Sequence, residues 1–246
     1  MIDGHAHLNE IADIEGAMER AASAGVTEVI AVGMDMESNR TTLDLARRFP
    51  GVIHPAIGYH PWSIVPDSIE ENLRFIRENL AGCIALGEVG IDYRIKLKKQ
   101  VQWDVFEEVL RMAVEMGKPV IIHSRYSHRR TYEMTAQSGV ERAVFHWYSG
   151  PEDLVARIVE SGYFVSASPA LAYSPPHRAA MAAAPIGRIL VETDAPVEYQ
   201  GKISEPADLA GTVRELAKLK GIPIEEAAAL TEENIRRFYG MRPACH

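Results

Sequence analysis

Cysteine is scarce in this chain: 246 residues contain two, Cys83 and Cys245, far apart in sequence. That count offers no disulfide framework and no zinc-finger spacing, and it suits a reducing compartment. Long apolar runs are missing as well. None approaches the roughly 20 residues that a membrane-spanning helix needs. Acidic Asp3 and a histidine pair arrive before any apolar run builds up, so no signal peptide is expected and the cytoplasm is the expected setting. Positive charge is also in short supply. With 26 Lys and Arg against 34 Asp and Glu, the net charge is −8, which excludes a global attraction to nucleic acid but not local basic patches. No Gly-x-Gly-x-x-Gly turn follows the first apolar run, which counts against dinucleotide binding. Linkers, repeats and low-complexity segments are absent too.

What is present is alternation. Apolar residues make up 47% of the chain. Short runs rich in Val and Ile read as strands over Met1–His7, Glu28–Gly33, Val52–Gly58, Ile84–Glu88, Pro119–His123, Ala143–His146, Tyr163–Ser166 and Ile189–Glu192. Near-continuous apolar cores such as Val29-Ile30-Ala31-Val32 fit strands buried on both faces of a parallel sheet. Amphipathic segments between them read as helices: Ile11–Ala24, Ser38–Phe49, Ser68–Leu80, Gln100–Met116, Arg129–Gln137, Glu152–Ser161, His177–Ala183 and Pro206–Lys220. Helix stops are read at Gly25, Gly82, Gly117, Gly139 and Gly162, and a last helix at Ile224–Tyr239. Repeated β-α units of this length predict an α/β fold, a (β/α)8 TIM barrel forming one domain over residues 1–246; an open doubly wound sheet is the rival.

The runs end on metal-binding side chains. His5 and His7 close the first, Glu88 the fourth, His123 the fifth, His146 the sixth, and Glu192-Thr193-Asp194 the eighth. Positions i and i+2 of a strand share a face, so His5 and His7 point together. Singly, each histidine could be a satisfied core imidazole. In a barrel, however, the carboxyl ends of the strands converge on one face, where active sites are built. One catalytic zinc typically takes three protein ligands. Six donors (His5, His7, Glu88, His123, His146 and Asp194) suit two divalent ions instead, with Glu88 as the bridging carboxylate.

Six segments carry a family resemblance: Asp3-Gly4-His5-Ala6-His7-Leu8, Gly58-Tyr59-His60-Pro61, Gly87-Glu88-Val89-Gly90-Ile91-Asp92-Tyr93, Ile122-His123-Ser124-Arg125, His146-Trp147-Tyr148-Ser149-Gly150 and Glu192-Thr193-Asp194-Ala195-Pro196. In this order the chain resembles the TatD family of metal-dependent hydrolases, within the amidohydrolase-like barrels. The resemblance implies metal ligation by the six donors above and dependence on Mg2+, Mn2+ or Zn2+. It further implies hydrolysis of phosphodiesters, with deoxyribonuclease (exonuclease) activity among members. Two departures bear on substrate preference. The family's Arg-Gly-Lys-Arg-Asn-Glu-Pro-like stretch reads Gln200-Gly201-Lys202-Ile203-Ser204-Glu205-Pro206 here, and Trp147-Tyr148 stands where Cys-Phe is common.

The expected roles follow. Asp194 accepts the proton of a metal-bound water, whose pKa falls toward about 7; Glu88 bridges the ions. His60 and Arg125 are candidate phosphate contacts, the latter because guanidinium pairs phosphate bidentately. Asp92 and Tyr93 support the site or the substrate, or shape the loop. Asp3 is read as a support for the strand end, not a ligand. Basic runs at Arg94, Lys96, Lys98, Lys99 and at Arg125, His128, Arg129, Arg130 could attract phosphate backbones or be solvated charge. Trp62, Trp147 and Tyr148 could stack a base or cap the barrel. His54, His177 and His246 read as surface or turn residues, and Cys83 as a small core residue. The substrate is thus expected to be a phosphodiester, DNA foremost, with no membrane and no obligate protein partner. An amide, lactone or aminoacyl-ester hydrolase on the same metals is the alternative, although many amidohydrolases carry a lysine where Glu88 stands. A non-catalytic binding platform should have lost a ligand, and all six are present.

Overall fold

The structure is a computed structural model and describes residues 1–242; Cys245 and His246 lie outside the described residues. Eight parallel strands follow one another in order: β1 (Ile2–Ala6), β2 (Glu28–Val32), β3 (Ile53–Ile57), β4 (Ala85–Asp92), β5 (Val120–Arg125), β6 (Ala143–Phe145), β7 (Phe164–Ala167) and β8 (Ile189–Val191). Helices α1 (Ile14–Ser23), α2 (Met36–Arg48), α3 (Ile69–Asn79), α4 (Lys99–Met116), α5 (His128–Ser138), α6 (Glu152–Glu160), α7 (Pro175–Ala183), α8 (Leu209–Lys220) and α9 (Ile224–Tyr239) surround them. The strands are almost wholly buried, which matches their continuous apolar sequence. β8 comes back beside β1. The Asp194 amide donates to the His5 carbonyl at 3.0 Å, and the His7 amide donates to the Ala195 carbonyl at 2.7 Å. The expected TIM barrel is therefore the fold. Among the described residues, no helix is long and apolar enough to cross a membrane.

Several boundaries differ from the sequence reading for identifiable reasons. α1 begins at Ile14 because the Asp13 carboxylate accepts the Gly16 amide at 3.1 Å. α2 begins at Met36 because Asp35, not Ser38, is the cap; Ser38 sits three residues on and completes a capping box. Gly82 ends no α-helix: α3 stops at Asn79, and a 3-10 turn covers Leu80–Gly82. A two-stranded hairpin, β9 (Glu198–Tyr199) and β10 (Lys202–Ile203), rises from the loop after β8.

The most consequential difference lies in β4. The strand does not end at Glu88 but runs four residues further, to Asp92. Its ladder with β5 continues through Val89↔Ile122, Gly90↔His123, Ile91↔Ser124 and Asp92↔Arg125. Glycine at 90 permits this approach: its φ is +152°, and a Cβ there would lie 2.0 Å from the His123 carbonyl oxygen. No L side chain fits without moving the backbone that carries His123. Cys83 is buried as expected, and burial pushes its thiol up to about 12.

Gly90→Ala is expected to cost about 3 kcal/mol, read as a fall in the urea-unfolding midpoint. Gly82→Ala, where a Cβ meets nothing within 4 Å, should stay within about 0.5 kcal/mol of wild type. Equal stability of the two variants would contradict this account of the β4–β5 contact.

Candidate metal centre

The cluster is built from β1 outward. The Nε2 atoms of His5 and His7 are 3.2 Å apart. Glu88 Oε2 lies 3.4 Å from each of them, and so does Asp194 Oδ1. All four side chains are buried. Asp194 reaches this position from a backbone with φ +52°, just past β8. Asp3 fixes that turn: its carboxylate accepts the Thr193 amide at 3.0 Å and the Thr193 hydroxyl at 2.5 Å. Burial, partly offset by those bonds, raises Asp3 to about 7.

The other oxygen of Glu88 faces a second nest. Glu88 Oε1 is 2.9 Å from His123 Nδ1, 2.9 Å from His146 Nε2 and 3.3 Å from His60 Nε2. One carboxylate thus points its two oxygens at two separate groups of imidazoles. Three of the five histidines have their remaining ring nitrogen held from outside. His7 Nδ1 donates to the Val32 carbonyl at 3.1 Å, His146 Nδ1 faces Glu192 at 3.2 Å, and His123 Nε2 faces Asp92 at 3.2 Å. Such outer contacts fix the tautomer and ring orientation of metal-binding histidines. His60 differs. Its Nδ1 accepts the Trp62 amide at 3.2 Å, so its proton sits on Nε2 and points at Glu88.

The electrostatics follow from burial among opposite charges. Burial opposes ionisation of Glu88 and Asp194, but the surrounding imidazoles outweigh it and hold both carboxyls below the usual range. Burial likewise disfavours the His7 imidazolium, yet Asp194 and Glu88 raise it to about 10. His146 is raised by Glu88 and Glu192 against the same burial penalty. Burial prevails at His60, which falls to about 4.

The six donors expected from the sequence are therefore brought together, with His60 beside them. Among the described residues, His5–His7–Asp194, His60–Glu88–His123 and His5–His146–Glu192 are groups whose donor atoms lie within 4.8 Å of one another. Asp92 sits against His123 and also accepts the Trp62 indole N–H at 2.6 Å. Arg125 ends β5 half-buried, with no side-chain ion pair among the described residues. Tyr93 is not brought to the cluster; its hydroxyl accepts from Trp103 at 3.1 Å, and the Lys99 ammonium covers its ring. Tyr148 is buried, its hydroxyl donating to Pro151, so it presents no face to a ligand. His177 corrects another expectation: it is fully buried, not at the surface. Its Nε2 accepts the Ser168 amide at 3.1 Å and its Nδ1 donates to the Tyr148 carbonyl at 2.8 Å. Glu192 was not among the expected site residues, although it stands two positions before Asp194 and was thus on the same strand face.

The donor set suits a metal. Carboxylates and imidazoles at these spacings are the ligands of zinc and of mixed carboxylate sites. Asp194 Oδ1, buried at the centre of the first nest, has no hydrogen-bond partner among the described residues. Comparison with known proteins gives the same chemistry. The family described as TatD related DNase matches residues 2–240. An uncharacterized metal-dependent hydrolase, TatD of Mycobacterium tuberculosis, is 31% identical over 98% of each chain. The deoxyribonuclease TATDN3 of Homo sapiens is 26% identical over 97% of this chain and 94% of that one. The crystal structure of YJJV, a TatD homolog from Escherichia coli, superposes with a TM-score of 0.90 at 27% identity, covering 98% of both chains. The chain belongs to the TatD related DNase family of metal-dependent hydrolases.

Proposed function

We propose that this chain is a two-metal phosphodiesterase acting on DNA. The observation that carries the reading is the division of Glu88, with Oε2 among His5, His7 and Asp194 and Oε1 against His123 and His146. A carboxylate shared in this way suits two ions clamping one phosphodiester. The naming of the human relative as a deoxyribonuclease supports DNA as the substrate. His5, His7, Glu88 and Asp194 would hold one ion, and Glu88, His123 and His146 the other. Donor spacing favours a small tetrahedral ion in the first nest. Tetrahedral corners about 3.4 Å apart lie about 2.1 Å from their centre, the zinc–imidazole length. Octahedral Mg2+ at its usual ligand distance would draw neighbouring donors to about 3.0 Å.

Bound there, divalent ions supply Lewis acidity and make water acidic enough to lose a proton near neutral pH. The chain's own residues do the rest. The Asp194 carboxylate accepts that proton; its depressed pKa keeps it ionised and ready. Glu192 and Asp92 hold His146 and His123 in orientation. His60 offers its Nε2–H, and Arg125 its guanidinium, to phosphate oxygens. Trp62, 56% exposed with its edge toward His60 and His123, forms part of the rim.

Metal loading should depend on pH with a definite sign. His7, raised to about 10, must lose its proton to bind an ion. Apparent Zn2+ affinity should therefore fall about tenfold per pH unit for each proton displaced as pH drops from 8 to 6. Competition against a chromophoric chelator measures this, and an affinity independent of pH would contradict it. Hydrolysis of single-stranded DNA and bis(p-nitrophenyl) phosphate should require Zn2+, Mn2+ or Mg2+. It should fall on the order of 10³-fold in Glu88→Ala and about 10- to 100-fold in Glu192→Gln. Full metal loading without cleavage of either substrate, alongside turnover of a lactone or aminoacyl ester, would replace the phosphodiesterase reading.

A further inference from the structure

Two buried hydroxyls near the cluster take no part in the chemistry above. Ser168, one residue past β7, is fully buried, and Tyr199 in β9 is 8% exposed. Their hydroxyls are neighbours, yet neither Ser168 Oγ nor Tyr199 Oη has a hydrogen-bond partner among the described residues. Buried hydroxyls without partners are uncommon, and each is a cost to folding that calls for a reason. Neither hydroxyl is needed to hold its loop. The Ser168 backbone is fixed by its amide bond to His177 Nε2. The Tyr199 ring packs against Trp147, centroids 5.2 Å apart.

Their surroundings put them on the β7–β8 side of the metal centre. The Glu192 amide donates to the Ala167 carbonyl at 3.0 Å, next to Ser168. Ser166, on the same strand face, accepts the Trp147 amide at 2.9 Å, and that amide also reaches Glu192 at 3.0 Å. Beside Tyr199 lies a cavity of about 250 Å³, lined also by Pro169, Lys202, Ser204 and Arg214. The cavity runs between the loops after β7 and β8 and the first turn of α8, the quarter of a TIM barrel where phosphates are frequently bound. Lys202 is committed to Asp208, so the neutral hydroxyls are the donors left closest to Glu192 and Trp147.

We propose that the Tyr199 and Ser168 hydroxyls form a two-donor clamp for a phosphoryl oxygen of the substrate, at the edge of this cavity. Hydroxyl protons need an acceptor, and an anionic oxygen rewards them most. Burial, with the charges of Asp194 and Glu192, holds the Tyr199 phenol far above its ordinary value, so it serves as a donor and not as a base. The clamp takes its phosphoryl ligand from the phosphodiesterase reading, but it is tested apart from turnover.

The test uses full-length protein loaded with Mn2+, titrated with inorganic phosphate by calorimetry, and compares wild type with Tyr199→Phe and Ser168→Ala. Phenylalanine keeps the ring on Trp147 and removes only the hydroxyl. Phosphate affinity is expected to fall about tenfold in each variant, with metal content unchanged and the melting temperature of phosphate-free protein equal or higher. A phosphate affinity within twofold of wild type in both variants would overturn the clamp, whatever happens to stability. So would a wild type that binds no phosphate. If phosphate binding depends on Tyr199 but no phosphodiester is cleaved, the clamp stands and the phosphodiesterase reading fails.

Discussion

The buried carboxylate of Glu88 is the constraint around which the rest is arranged. It is surrounded by five imidazoles, His5, His7, His60, His123 and His146. A carboxylate at 2% exposure is costly unless charge and hydrogen bonds compensate it. Compensation from five rings on four other strand ends requires those ends to converge, which a closed barrel does and an open sheet does not. The backbone is adapted at the same place. A Cβ on Gly58 would lie 2.5 Å from the Gly87 carbonyl carbon, and one on Gly87 would lie 2.5 Å from Ile121 Cβ. Strands β3, β4 and β5 can therefore close around Glu88 only because the residues flanking it carry no side chain.

Much of this was legible in the sequence because two periodicities act at once. Alternation put His5 and His7 on one face, and the regular recurrence of strands put His123, His146 and Asp194 at the same end of the barrel. The errors have physical causes. The Gly-Glu-Val-Gly segment looked like the end of a strand because glycine usually stops one; in the barrel, Gly90 is what lets β4 continue alongside β5. Glu88 is thus mid-strand, and Asp92 is the residue at the end. His177 follows two prolines and looked exposed, but its ring links the Ser168 amide to the Tyr148 carbonyl across the loops. The 198–203 hairpin was too short for any pattern to reveal, although Gln200-Gly201, both at positive φ, is the turn chemistry that such a hairpin requires. Whether a hydroxyl such as that of Tyr199 finds a partner is a property of three-dimensional packing, with no trace in the order of residues.

Charge distribution explains how an acidic protein can be read as acting on an acidic polymer. The net charge of −8 repels a phosphate backbone at long range, so steering must come from the mouth itself. Part of the acidic surplus is already paired: Glu108 and Glu115 hold Arg77 and Arg111, and Glu28 and Glu232 hold Arg236. Arg125 and the loop after β4, by contrast, leave cations near the cluster. The folded chain thus sorts its charges, neutralising the flanks and keeping positive groups by the site.

The hairpin after β8 is where this chain departs most from its family, and its structure gives the departure a physical meaning. Where the family's pattern carries arginines, Gln200 forms the turn and Ile203 stands 66% exposed. The lysine that remains is tied to Asp208, which also caps the 3-10 turn leading into α8. Little free positive charge is left on this side of the mouth. Recognition here must then rely on neutral donors, which bind through geometry and fall off steeply with distance, unlike charges that act over about 10 Å. A site built this way holds a short stretch of substrate closely and gains little from a long one. The same metal centre, set behind a less cationic hairpin, is shifted toward compact phosphoesters or chain ends and away from the middle of a long polyanion.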